Sequence, residues 1–247
     1  MIVQLKRSIV DLAQTIYKKY ESKYLFDIQV KLLKGYDVNC IVDVGAAKGE
    51  VAREYRKRFK STMIYCVEPF DASYRTLVRN VASDSRIKTR QLAISDKVGV
   101  AELYSNECAA TNSLHKVDKN ASHYWAPELL MAKGVNRIQT TTIDAFCESE
   151  NISRIDILKM DIQGGEIAAL SGARKMAADD RILMIYTEIL MVPTYEGQSS
   201  LLEFLSCFSE MGFTLFDMGN FLHDTKGQVK QCDAVFINRT LANTLHR

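Results

Sequence analysis

Apolar residues at Leu5, Ile9, Leu12, Ile16 and Tyr20 recur at helical spacing, with Lys6, Arg7, Lys18 and Lys19 between them. The pattern predicts a helical segment over residues 1–34, with Gly35 as its stop. Such a helix packs on the rest of the chain or on a second copy, which would make a homodimer. A basic helix lying on a membrane is the competing reading, and Asp11 and Glu21 dilute its charge. From residue 38 the texture changes to short β-branched runs: 38–44, 62–67, 87–94, 155–160 and 182–188. Helical stretches alternate with them at about 50–59, 72–81, 165–173 and 199–211. Near-continuous apolar strands alternating with helices predict a parallel sheet covered on both faces, an α/β fold. Runs at 214–218 and 234–237, separated by a turn at Lys226-Gly227, predict an antiparallel hairpin on its edge. One domain over 35–247 is expected, interrupted by a polar, irregular insertion at about 105–135 that holds His115, His123 and Trp125.

Bulk composition narrows the partners. The 247 residues are 47% hydrophobic and 25% charged, as in an ordinary globular domain, which excludes disorder and disulfide scaffolds. A net charge of +2 lacks the basic surplus of a nucleic-acid binder. Lys6, Arg7 and Asp11 interrupt any signal-peptide core, and Ile182–Val192, the longest apolar run, contains Thr187 and Glu188. A cytoplasmic protein without a membrane span is expected. Cys40, Cys66, Cys108, Cys147, Cys207 and Cys232 form no CxxC pair and are expected as reduced thiols.

Candidate chemistry gathers at strand ends. In Ile41-Val42-Asp43-Val44-Gly45-Ala46-Ala47-Lys48-Gly49-Glu50 an apolar strand runs into a glycine turn and a helix. Such glycines let backbone approach a ligand, and the helix N-terminus offers free N–H groups. The spacing is not GxGxxG. Glu68 ends the next strand, 23 residues after Gly45, where an acidic residue accepts hydrogen bonds from ribose hydroxyls. Asp161 and Gly164 close a third strand, and Glu188 ends a fourth among apolar neighbours, where a carboxylate without a partner would be costly.

These blocks are similar to those of the FkbM family of S-adenosylmethionine-dependent methyltransferases. The resemblance rests on Val42-Asp43-Val44-Gly45-Ala46; Val67-Glu68-Pro69-Phe70 with Leu77 and Asn80; Leu92-Ala93-Ile94-Ser95-Asp96; and Leu158-Lys159-Met160-Asp161-Ile162-Gln163-Gly164. Thr140–Asp144, Tyr195–Gln198 and Cys232–Phe236 extend it, so that it spans about residues 38–238. Two positions depart from the family pattern: Ala47 stands where Asn is common, and Gln163 where Glu is common. The resemblance implies a Rossmann-like class I methyltransferase fold, with a mostly parallel seven-stranded sheet. It also implies methyl transfer from S-adenosylmethionine, most often to a hydroxyl of a sugar or natural product. On that basis the backbone around Gly45, Ala46 and Gly49 holds the methionine portion, Glu68 the ribose, Ser95 or Asp96 the adenine, and Asp161 the amino-acid end, with Asp43 as a further cofactor-binding residue.

A hydroxyl nucleophile needs a destination for its proton. Glu188 is the expected base with Asp161 beside it; two close carboxylates raise one pKa or share a divalent metal. His115 and His123 are alternative bases. Asn112, Ser113, His115, Gln163 and Tyr195 are the expected contacts to a small-molecule or glycan acceptor. Two other functions compete: a nicotinamide-dependent oxidoreductase, which calls for a third glycine in the first turn, and a non-catalytic nucleoside-binding module.

Overall fold

The computed structural model describes residues 23–245, and the first 22 residues of the expected N-terminal helical segment lie outside them. Residues 23–32 form helix α1. The strands are β1 Cys40–Val44, β2 Met63–Val67, β3 Ile87–Arg90, β4 Ala93–Ile94, β5 Gly99–Asn106, β6 Ala132–Thr141, β7 Ile155–Met160, β8 Ile182–Leu190, β9 Phe213–His223 and β10 Val229–Asn238. The further helices are α2 Glu50–Arg58, α3 Asp71–Val81, α4 Pro127–Leu130, α5 Ile143–Ser149, α6 Glu166–Ser171, α7 Arg174–Ala178, α8 Leu201–Glu210 and α9 Arg239–Leu245.

Seven strands form the main sheet in the order β3-β2-β1-β7-β8-β10-β9. The pairs from β3 through β8 are parallel, and β10 is antiparallel to both β8 and β9. This is the expected fold, hairpin edge included. Its apolar strands are buried because both faces are covered. Leu25, Phe26, Leu32 and Leu33 of the N-terminal stretch pack with Ala52, Tyr55, Leu77 and Leu241 on one face. Phe146, Leu170, Met176, Phe204 and Phe208 cover the other. The chain leaves β1 for β2 on one side and reaches β7 on the other, so a crevice opens between β1 and β7 at their carboxyl ends.

Three local differences from the expectations have physical causes. The run 87–94 is split at Gln91-Leu92, with β3 in the main sheet and β4 in a separate sheet of order β4-β6-β5. The insertion is shorter than its polar sequence suggests, because β6 already begins at Ala132. Its first half, Lys133 to Arg137, is exposed on both sides and so has no apolar alternation to reveal it. The helix expected over 165–173 breaks at Gly172, where a Cβ would lie 2.4 Å from the Ser95 carbonyl oxygen; α7 then begins at Arg174.

Candidate active site

Register aligns Gly45, Asp161 and Glu188, but Glu188 does not end its strand as expected: β8 continues to Leu190, held by its pairing with β10. Val44 pairs with Met160 and Met160 with Thr187, so the next residues along, Gly45, Asp161 and Glu188, sit side by side at the carboxyl edge. Asp233 of β10 pairs with Glu188 and extends the row. The first turn and the third are in direct contact. Gly45 has φ +74°, and a Cβ there would lie 2.0 Å from the Asp161 carbonyl oxygen. Only glycine satisfies both the left-handed backbone and that approach.

Beneath this edge lies an ion pair. Asp43 is fully buried, and Nζ of the buried Lys159 stands 3.2 Å from its Oδ1. The ammonium also donates to the Gly45 carbonyl at 3.0 Å and lies 3.9 Å from Asp161 Oδ2. Burial opposes the charge of Lys159, but Asp43 and Asp161 outweigh it and hold its pKa above the ordinary value. Lys159 therefore fixes the glycine turn from below. The sequence signal for it was a cation two residues before Asp161 in an apolar strand.

Above the turn is a pocket lined by Gly45, Ala47, Glu68, Phe70, Ile94 and Asn112, among others. Glu68 is 7% exposed, and its two oxygens accept from Ala47 N and Phe70 N, each at 2.9 Å. Burial pushes its carboxyl up to about 7, against the pull of these two N–H groups. Each oxygen retains a lone pair for a hydroxyl donor. Leu92, Ala93, Ile94 and Leu103 supply apolar wall, and Ala109 to Leu114 of the insertion close the far side. The buried Asn112 Nδ2 has no hydrogen-bond partner, while Asn112 Oδ1 accepts from Asn106 N at 2.8 Å. That orphaned donor on a pocket wall calls for a ligand acceptor. The N–H groups of Gly45, Ala46 and Ala47 are taken by the Val67 carbonyl and by Glu68, so the slot offers a ligand apolar walls, the Glu68 carboxylate and the Asn112 amide.

The other expected cofactor residues stand around this pocket. Asp43 and Ala46 are buried behind its lining. Gly49, at φ +84°, ends the turn at the start of α2 and packs against Leu77. Ser95 and the exposed Asp96 bond to each other at 3.1 Å and are not brought to the lining. The expected acceptor residues Gln163 and Tyr195 join a network with the candidate bases. Gln163 Nε2 donates to Asp161 Oδ1 at 3.0 Å and to Glu188 Oε2 at 2.7 Å. The Tyr195 hydroxyl lies 2.9 Å from both Gln163 Oε1 and the Thr111 carbonyl. Gln231 Nε2 donates to Glu188 Oε1 at 2.5 Å. Ser113 Oγ donates to the Gln163 carbonyl at 2.7 Å and accepts from His115 N at 3.0 Å, tying the insertion to the third turn. The His115 ring is partly buried, which lowers its pKa, and His123 is exposed.

Glu188 is 7% exposed. Burial, reinforced by Asp161, Asp233 and Glu166, raises its pKa well above the ordinary value. It lines a second cleft with Lys159, Tyr186, Asn220, Asp233 and residues of α2. Asp161 belongs to both this cleft and the pocket above the first turn. Sequence reading gave no site role to Asp233 of the Cys232–Phe236 block, whose Oδ2 accepts from Tyr186 Oη at 2.6 Å and Asn220 Nδ2 at 2.5 Å. Among the described residues no group of three or more His, Cys, Asp or Glu side chains is arranged to hold a metal ion. Nor does any helix among them have the length and apolarity to cross a membrane. All six cysteines are unpaired, four of them buried.

Sheet order and a pocket at the switch-point crevice define an α/β protein with a ligand site at the carboxyl edge of its sheet. Residues 43–215 match the model of the methyltransferase FkbM domain. A similar protein is the 2-O-methyltransferase NoeI of Sinorhizobium fredii (strain NBRC 101917 / NGR234). It is 24% identical over 205 residues, covering 80% of this chain and 82% of that protein. Methyltransferase sdnD of Sordaria araneosa is 24% identical over 181 residues, covering 65% and 68%. Among solved structures, the magnesium protoporphyrin IX methyltransferase of Synechocystis PCC 6803 with bound SAM aligns with TM-score 0.48 and 7% identity. That alignment covers 87% of this chain and 78% of that one. The chain belongs to the FkbM methyltransferase family and is a methyltransferase dependent on S-adenosylmethionine.

Proposed function

We propose that the protein methylates a hydroxyl of a sugar or natural-product acceptor, with Glu188 as the general base. The observation that carries this reading is the position of Glu188, a buried carboxylate on a cleft joined to the cofactor pocket through Asp161. The likeness to a protein named a 2-O-methyltransferase supports oxygen as the acceptor atom.

S-adenosylmethionine supplies an electrophilic methyl group on a sulfonium. The backbone of Gly45, Ala46 and Ala47 holds its methionine portion, with Asp161 at the amino group. Glu68 accepts from the ribose hydroxyls, the apolar wall at Leu92–Ile94 and Phe70 encloses the adenine, and Asn112 Nδ2 donates to the ligand. The acceptor lies in the second cleft with one hydroxyl against Glu188. With the cofactor bound as methyl donor, Glu188 would take the proton of the acceptor hydroxyl whose oxygen receives the methyl group, and S-adenosylhomocysteine would be the leaving product. The raised pKa suits a carboxylate to this task, because a stronger base takes the proton more readily. Alignment and exclusion of water supply the rest.

Glu188→Gln keeps the shape and removes the base. Turnover of a hydroxylated acceptor is expected to fall by about 10²–10⁴-fold. Calorimetric affinity for S-adenosylhomocysteine is expected to hold. Undiminished turnover would remove Glu188 from the mechanism.

A further inference from the structure

Gln163 occupies an unusual place. It is one residue from the turn glycine, in the left-handed region at φ +55°, and its side chain reaches between two carboxylates. The amide orientation follows from the neighbours. Nε2 faces Asp161 Oδ1 at 3.0 Å and Glu188 Oε2 at 2.7 Å, both acceptors, while Oε1 faces the Tyr195 hydroxyl at 2.9 Å, a donor. The reverse orientation would set oxygen against two carboxylates. Gln231 Nε2 completes the second oxygen of Glu188 at 2.5 Å. Each oxygen of Glu188 thus receives one hydrogen bond from a neutral amide.

We propose that Gln163 is a positioning residue that holds Glu188 ionised and aimed beside Asp161, so that the pair carries no shared proton when the acceptor arrives. The proposal rests on the reading of Glu188 as the base. Its physical content is that neutral donors stabilise a carboxylate by hydrogen bonding without the large drop in basicity that an adjacent cation would bring. The groups facing Glu188 make this necessary. Asp161 at the end of β7, Asp233 on β10 and Glu166 at the start of α6 all disfavour its charge, and Lys159 of β7 favours it. The Tyr195 hydroxyl and the Gln231 amide face the same network from the 191–198 loop and β10. With a third carboxylate at position 163, each hydrogen bond to a neighbouring carboxylate could form only by retaining a proton.

The test is the pH profile of kcat for the full chain, with S-adenosylmethionine and any accepted hydroxylated substrate. For Gln163→Glu the acid limb is expected to move up by about one pH unit or more. The loss would then be about tenfold on the acid limb, and largely recovered above it. Gln163→Met removes both donors without adding charge and is expected to move the limb the same way. S-adenosylhomocysteine affinity, measured by calorimetry at the pH of each assay, verifies that the pocket is folded. A pH-independent loss in both variants would mean a merely structural role and would overturn the proposal, as would an unmoved acid limb. Glu188→Gln run in parallel separates the two readings: if it stays active, the base assignment fails. If it is inactive while Gln163→Glu leaves the limb in place, the role of Gln163 alone fails.

Discussion

Lys159 shows how much one buried side chain can organise. It stands 3.2 Å from the fully buried Asp43, opposing the burial that raises that carboxyl's pKa, and donates to the Gly45 carbonyl at 3.0 Å, so the same ammonium serves the core and the glycine turn. Lys159→Met keeps the volume and strands Asp43 without its countercharge. Removing one partner of a buried pair typically costs ~3–5 kcal/mol, because the remaining charge has no solvent. The fall in unfolding free energy, measured by urea denaturation, is expected in that range. Part of it should return in the double variant Lys159→Met, Asp43→Asn, where no charge is left behind. A loss below about 1 kcal/mol, the scale of exposed pairs, would mean that Asp43 is not held ionised by Lys159.

Among the elements, the insertion is the one whose attachment shapes the pocket above the first turn. Ala109 to Leu114 wall the pocket, and Ser113 anchors that wall by donating to the Gln163 carbonyl and accepting from His115 N. Ser113→Ala breaks both bonds in a buried place, worth about 1–3 kcal/mol locally. S-adenosylhomocysteine binding is expected to weaken about tenfold, equivalent to ~1.4 kcal/mol. Hydrogen exchange should quicken across residues 109–115 while the core strands stay protected. Unchanged exchange in that stretch would show the wall to be held by its other contacts. The insertion also marks where sequence reading reached its limit. The sheet was legible because β1, β2, β7 and β8 are apolar on both faces, and β1, β2 and β7 run straight into a glycine turn or an acidic residue. Asp161 and Glu188 were legible as neighbours because parallel register sets them side by side, although β8 runs on to Leu190 instead of ending at Glu188. The polar half of β6 and the short α4 lack any apolar period. The amide bridge through Gln163 depends on a left-handed backbone and on Gln231, 68 residues away in sequence, which no local pattern encodes.

At the scale of the whole molecule, buried acids outweigh ordinary surface carboxylates in setting the response to pH. Burial pushes Glu68 and Glu166 up to about 7 and Asp233 up to about 6, above the ordinary values of 4.5 and 3.8. In the unfolded chain these groups titrate near the ordinary values, so between about pH 4 and 7 the folded protein binds more protons than the unfolded one. Stability from these groups is therefore fully present below the unfolded pKa values and is lost as pH rises through 6 to 7, by at most ~1.4 kcal/mol per pH unit for each. Glu54, Asp84, Glu203 and Asp224 have lowered pKa values and act in the opposite sense, losing stability only in more acidic solution. The melting temperature of the ligand-free protein is thus expected to peak near pH 5 and to fall toward pH 8. Asp233→Asn keeps an oxygen for Tyr186 and Asn220 and removes one titrating group, so its melting temperature should fall less over the same interval. A melting temperature that is level or rising from pH 5.5 to 8 would contradict the protonated state assigned to these buried acids.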